Sequence, residues 1–274
     1  KQVFRLRTTP RDEVGFLVDY AFDVLGARRF AVLYPRTRYG RGMRERYWEE
    51  VAARGGRMLA AASYEPDATD FKKAIRSMIG YTLLTKKEEV ALEEREQLMR
   101  RWRRLEPGEA GKLRQAAYAQ LGPEGRPLPP LVDFDVLFIP DAHDKIELIA
   151  PQLAFHEVRG VQLLGSSEWN HPDLVRIGRE HVRGAVIATP FHARSEFDFV
   201  RDFADGYAAR FAAQPDVFSA HTFDATNLVL MQLVAGRESR LQVRDGILRV
   251  RGYAGVSGVL SMASLLGFIT LFGI

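Results

Sequence analysis

The 274-residue sequence contains no cysteine. That excludes disulfides, thiolate metal sites and cysteine nucleophiles, and it fits a reducing or an oxidising compartment equally well. Long hydrophobic runs are also missing. The longest apolar stretch, Ala263 to Ile274, falls short of the roughly 20 residues needed to cross a bilayer. Charge of one sign is scarce too, for 39 basic residues face 35 acidic ones and leave a net +4. A balance so mild and so interleaved argues against a nucleic-acid partner. The six histidines show no metalloprotease spacing, and neither a Gly-x-Ser-x-Gly elbow nor a Walker loop occurs. No metal or cofactor is therefore expected. The chain starts at Lys1 with no initiator Met and no signal peptide. An N-terminal portion is expected to have been removed, one that carries a lipid anchor if the protein has one.

What is present is an alternation of short apolar runs with helical periodicity. Val136 to Ile139 form a strand-length run ending at Pro140-Asp141. Asp144 and Glu147 then read as a helix start, and Ile146, Ile149, Ala150, Leu153 and Ala154 recur at helical spacing. Pro151 is expected to kink that helix. Gly160 ends the segment and Val161 to Leu164 supply the next strand. Strand, helix, strand in this span is a βαβ unit, which forces parallel strands with a right-handed crossover.

The same rhythm precedes and follows it. Thr9, Pro10 and Asp12 open a helix whose apolar face runs from Val14 to Leu25, while Val3 to Leu6 read as extended. A helix from Arg38 to Arg54 places Tyr39, Met43, Tyr47 and Val51 at four-residue spacing, and another runs from Thr69 to Ile79. Candidate strands fall near residues 30, 58, 136, 162 and 186, so the fold class is α/β with a parallel sheet flanked by helices. Thr85 to Pro130 break the pattern. A crossover needs only a dozen residues, yet this one carries about 50. It opens on a Thr85–Glu88 capping box and has a sparse apolar face of Val90, Leu98, Trp102 and Leu105. It reads either as a solvated helical hairpin or as a docking arm. Further on, Ser195 and Asp198 cap a helix through Phe211. Asp216 to Val234 form a helix apolar on most sides, which requires burial. Leu241 to Val250 alternate weakly, and residues 252 to 258 are loop-like.

In an open parallel sheet, ligands bind beyond the carboxyl ends of the strands. Tyr39, after the first strand, either stacks on a ligand or fills the core beneath its helix. Ala142 and His143 follow the third strand, with His143 a ligand contact or a plain loop histidine. Ser166 and Ser167 offer hydroxyls and Glu168 offers a clamp for an amine, while Trp169 reads as packing. Phe191 and His192 follow the last strand. Gly40-Arg41-Gly42 has the start of a dinucleotide fingerprint, but Glu45 in place of the third glycine would repel a pyrophosphate. These groups include no matched nucleophile and base, so they point to binding rather than turnover.

FRLRTTPRDE, then RYGRGM after an apolar strand, then Tyr64 with DATDFKKAI, resembles the type I periplasmic binding proteins of the leucine/isoleucine/valine-receptor family. FDVLFIPDAHDKIELIAPQLAFHEVRGVQLLGSSEWNHPDLV and PDVFSAHTFDATNLVLMQL continue the likeness in the family's order, over residues 3 to 258. The long insertion, PPLVDFDVLFIPD and APQLAFHEV are similar to the subgroup resembling lipoprotein activators of penicillin-binding proteins. The resemblance implies a non-catalytic, extracytoplasmic solute-binding protein of two α/β lobes, closing on an amino acid or similar small polar ligand. It implies an ABC permease as partner or, in the activator subgroup, a penicillin-binding protein. Tyr39 occupies the place of the tyrosine that stacks on the ligand. Ala142-His143 occupies the place of an aromatic contact, and Ser167, with Glu168 adjacent, the place of the acid that holds the ligand ammonium. Residues 9–190 then form one complete lobe with its insertion at 85–130, residues 195–258 the returning part of a second lobe, and 259–274 an apolar tail.

Overall fold

The computed structural model describes residues 9–102, 107–119, 121–260 and 270–273. Val3 to Leu6, Leu105 and most of the apolar tail lie outside that set. Helix α1 (Pro10–Asp23) begins on a complete capping box, the Thr9 hydroxyl taking the Asp12 amide while the Asp12 carboxylate takes the Thr9 amide. Strand β1 (Arg29–Pro35), helix α2 (Arg38–Ala53), strand β2 (Arg57–Tyr64) and helix α3 (Lys72–Met78) follow. Helices α4 (Lys86–Trp102) and α5 (Pro107–Ala119) make up the insertion. Then come β3 (Val136–Ile139), α6 (His143–Phe155), β4 (Gln162–Gly165), α7 (Pro172–Gly178) and β5 (Val186–Thr189).

The five strands form one sheet in the order β2-β1-β3-β4-β5, every neighbouring pair parallel. Each candidate strand is present, and the sheet runs as the βαβ argument requires. Strand alternation divides the core in two. Phe30, Val32, Val136, Phe138, Leu164 and Val186 point to α1 and α2, meeting Val14, Leu17, Met43, Tyr47 and Val51. Ala31, Leu33, Leu137, Ile139 and Ile187 point the other way, against Ile75 of α3, Ile146, Ile149 and Leu153 of α6, and Leu174 of α7. Each such large side chain contributes about 1.5–3 kcal/mol by leaving water. Gly40 lets α2 sit close to β1: a Cβ there would stand 2.3 Å from the Pro35 carbonyl oxygen. The glycine-rich start of α2 is a packing device.

The rest of the chain builds α8 (Asp198–Phe211), α9 (Val217–Val234), α10 (Arg240–Leu248), a hairpin of β6 (Tyr253–Gly255) and β7 (Gly258–Leu260), and β8 (Thr270–Gly273). Strand β8 pairs antiparallel with β5 and extends the sheet to six strands, so the end of the apolar tail is an edge strand. A small separate core of Phe191, Val200, Ala220 and Val256 joins α8, α9 and the hairpin. Asp224 of α9, fully buried, holds the hairpin by accepting from the Val256 amide (2.9 Å), the Ser257 amide (2.8 Å) and the Ser257 hydroxyl (2.5 Å).

Several local expectations need correction. Helix α9 is not buried all round: Ala220, Asp224, Leu228 and Gln232 face in, while Phe218, Leu230, Met231, Leu233 and Val234 are exposed. Composition shows that a helix is apolar on every side, but only a packed neighbour buries it, and among the described residues one face has such a neighbour. The weak alternation of Leu241 to Val250 belongs to helix α10, capped by Ser239 and Gln242, and the loop-like stretch after it is the β6-β7 hairpin. Helix α6 starts one residue before Asp144, on Ala142 with no side-chain cap, and continues through Pro151. In α4 the buried stripe is Glu88, Leu92 and Arg95 rather than Val90 and Leu98, which are exposed. A buried Arg95 answers that stripe by donating to the Leu128 and Pro129 carbonyls.

Candidate functional site

The strand order reverses direction between β1 and β3, the place where parallel α/β sheets open their ligand crevice. Tyr39, in the first turn of α2, stands at this point just past β1. About two-fifths of the residue is exposed. The phenol has three carboxylates in its surroundings, Glu13, Glu168 and Asp141, and lies beside the Ser166 hydroxyl. Loss of water and these negative charges hold its pKa far above the usual value, so it remains a neutral hydroxyl at physiological pH.

Ser166 Oγ is fully buried and, although next to the Tyr39 hydroxyl, does not reach hydrogen-bonding geometry. Ser167 is gripped from α1: its amide donates to Glu13 Oε1, and its hydroxyl lies 3.4 Å from Glu13 Oε2. Glu13 itself is largely buried. Glu168 is exposed in the short 3-10 turn of residues 167–169. Trp169 is fully buried, its indole N–H donating 3.0 Å to the Ile139 carbonyl, which confirms the packing reading. Close approach of strand and turn depends on Gly165, where a Cβ would fall 2.2 Å from the Trp169 ring.

Asp141, after β3, receives the Tyr64 hydroxyl at 2.6 Å on Oδ2 and the Ala142 amide on Oδ1. Burial and the adjacent Asp141 charge drive the Tyr64 pKa far upward, so that hydroxyl stays a donor. His143, at the start of α6, turns toward His171 and stacks on it, with ring centroids 3.8 Å apart and planes 11° from parallel. Ala142 is partly exposed at the head of that helix. Phe191 is buried and packs edge-on against Phe203 at 5.8 Å, in the small core of α8 and α9. Its ring therefore packs within that core and offers little face to a solute. A surface hollow of about 410 Å³ lined by Pro151, Arg176, Ile177, Arg179, Glu180 and His181 lies at α6 and α7 and includes none of these residues.

The fold thus brings Ser166 and Glu168 to the Tyr39 phenol, pairs His143 with a residue the spacing did not single out, and turns the Phe191 ring into the core of α8 and α9 while its carbonyl accepts from Asn170 Nδ2. Glu13, Tyr64 and His171 were not legible as site residues. Glu13 had the signature of an ordinary first-turn acid, and the tertiary contact with Ser167 spans 154 residues.

With this geometry in hand, comparison of backbones is decisive for the architecture. The structure superposes on a protein assigned to a branched-chain amino acid ABC transporter of Rhodospirillum rubrum, with TM-score 0.73, 18% identity, and coverage of 99% of this chain and 65% of that one. The fold is that of the type I periplasmic binding proteins. A leucine-binding protein, LivK, from Thermotoga maritima matches with TM-score 0.63 and 17% identity, covering 98% of this chain and 64% of its own. An ABC transporter substrate-binding protein from Desulfitobacterium hafniense, in complex with Leu, gives 0.61 and 16%, with 99% and 65% covered. The chain therefore spans about 65% of the length of these periplasmic binding proteins. No protein-family model and no curated protein matches the sequence.

Proposed function

We propose that this chain is part of a non-catalytic, extracytoplasmic solute-binding protein that holds a small ammonium-bearing ligand, of the amino-acid class, at the strand ends around Tyr39. The observation that carries this reading is the partly exposed Tyr39 set among Glu13, Glu168 and Asp141. An electron-rich ring face beside carboxylates attracts an ammonium by cation–π and Coulomb terms together. The Ser167 hydroxyl supplies a polar group of the kind that fixes a ligand's orientation. The fold supports the reading, since the named neighbours include leucine-binding and ABC-transporter proteins. On this view residues 9–190 are one lobe of a two-lobed receptor, residues 195–258 belong to the other, and an ABC permease is the downstream partner. The activator role, with a penicillin-binding protein as partner, gains nothing from these neighbours.

Thermal shift and titration calorimetry against a panel of amino acids test the proposal. A true ligand at 100 times its Kd adds about 2.7 kcal/mol of stability. Tyr39→Ala is expected to weaken binding by about 1–2 kcal/mol, roughly 5- to 30-fold, without lowering stability comparably. A panel that gives neither heat nor stabilisation overturns the reading.

A further inference from the structure

Two histidines and an aspartate, distant in sequence pattern from any metal motif, come together at the loops after β3 and β4. His143 opens α6, His171 caps α7, and Asp173 lies in the first turn of α7. One ligand-capable atom of each lies within 4.8 Å of the other two. We propose that His143, His171 and Asp173 form a binding site for a divalent transition metal of the zinc class.

The Asp173 carboxylate is divided between two tasks. Its Oδ1 takes both Arg176 contacts, Nε at 2.9 Å and a terminal nitrogen at 2.8 Å, while Oδ2 faces His171 Nδ1 at 3.7 Å. Arg176 thereby orients the carboxylate, the role an outer-shell partner plays at metal sites, and leaves Oδ2 directed at His171. His171 Nδ1 currently accepts the Asp173 amide at 3.2 Å, a long bond at an exposed helix start that water can replace when the nitrogen turns to a metal. Tetrahedral coordination at about 2.0–2.1 Å sets ligand atoms about 3.3 Å apart, so the ligand atoms close by at most about 1.5 Å and the two imidazoles turn out of their stacked arrangement. The His171 and Asp173 side chains are 45% and 39% exposed, so rotation about their side-chain bonds can supply that closure.

The donor set decides the metal class. Two imidazoles and one carboxylate suit zinc, nickel or copper, whereas calcium and magnesium require oxygen-rich cages. Three protein ligands leave a fourth position open for water or a solute carboxylate. The inference does not depend on the solute reading, because the metal alone is the probe.

Titration calorimetry with ZnCl2 and visible absorption with Co2+ provide the test. The expected result is one high-affinity zinc per chain, with Co2+ bands typical of low coordination number. Affinity should fall at least 10-fold in His143→Ala and in His171→Asn, the latter retaining a helix-capping side chain. Circular dichroism of each variant should match the parent. Zinc binding of unchanged affinity in both variants, or Mg2+ binding as tightly as zinc, overturns the site.

Discussion

Gly165 and Trp169 make the sharpest test of how the crevice loop is built. Trp169, the last residue of the 3-10 turn, is fully buried, and β4 can approach its ring only because residue 165 has no side chain. A Cβ at 165 would lie 2.2 Å from Trp169 Cδ2 and 2.6 Å from Cε3 and Cγ, where carbon pairs prefer about 3.5–4.0 Å. Gly165→Ala is therefore expected to cost about 1–3 kcal/mol by overpacking. Trp169→Ala should cost about 3–5 kcal/mol as a cavity mutation. The two effects must not add. With the indole gone, the methyl introduced by Gly165→Ala enters the space it left, and the double variant should be no less stable than Trp169→Ala alone, a coupling of about 1–3 kcal/mol. Trp169→Phe is the milder comparison: the Ile139 carbonyl keeps the Asp141 amide at 3.1 Å, so losing the indole donor costs only about 1 kcal/mol beyond the missing ring. Urea unfolding followed by far-ultraviolet circular dichroism measures the parent and all four variants. If the double variant equals the sum of the singles within about 0.5 kcal/mol, the close-approach argument is wrong.

The Glu88 carboxylate is held by Arg126 through Nε at 2.6 Å and a terminal nitrogen at 2.7 Å, and by the Thr85 amide at 2.9 Å, which lowers its pKa from 4.5 to about 2. A depressed folded-state pKa gives stability that is complete above 4.5 and lost as pH falls toward 2, so acid titration of the parent should show a slope in that window that Glu88→Gln flattens. An identical slope in the variant refutes the assignment. Asp224→Ala removes the acceptor of two buried amides and should cost about 3 kcal/mol in the α9–hairpin unit. Hydrogen exchange at Val256 and Ser257 should accelerate while the sheet amides keep their protection; unchanged exchange at these two residues counts against the anchor.

How much was legible follows the range of the forces involved. Capping at Thr9, the four-residue spacing of Met43, Tyr47 and Val51, and the apolar runs of β1 to β5 act within a turn or a strand, so they can be read directly from neighbouring residues. Resemblance set Tyr39 and Glu168 near each other, and the Glu168 charge acts on the Tyr39 phenol. Helix α9 misled because apolar composition states a need for burial without naming the surface that meets it. The stripe of α4 misled because two charged residues, Glu88 and Arg95, took inward positions assigned to aliphatic residues.

The sequence by itself determined the alternation of strands and helices and the parallel direction of the sheet, since periodicity and the βαβ crossover are local properties of the chain. Only the tertiary structure decided that Glu13 reaches Ser167, that His143 lies on His171, and that β8 closes the edge beside β5. Those contacts join residues far apart along the chain, and their geometry is set by how whole elements pack rather than by any spacing a single segment carries.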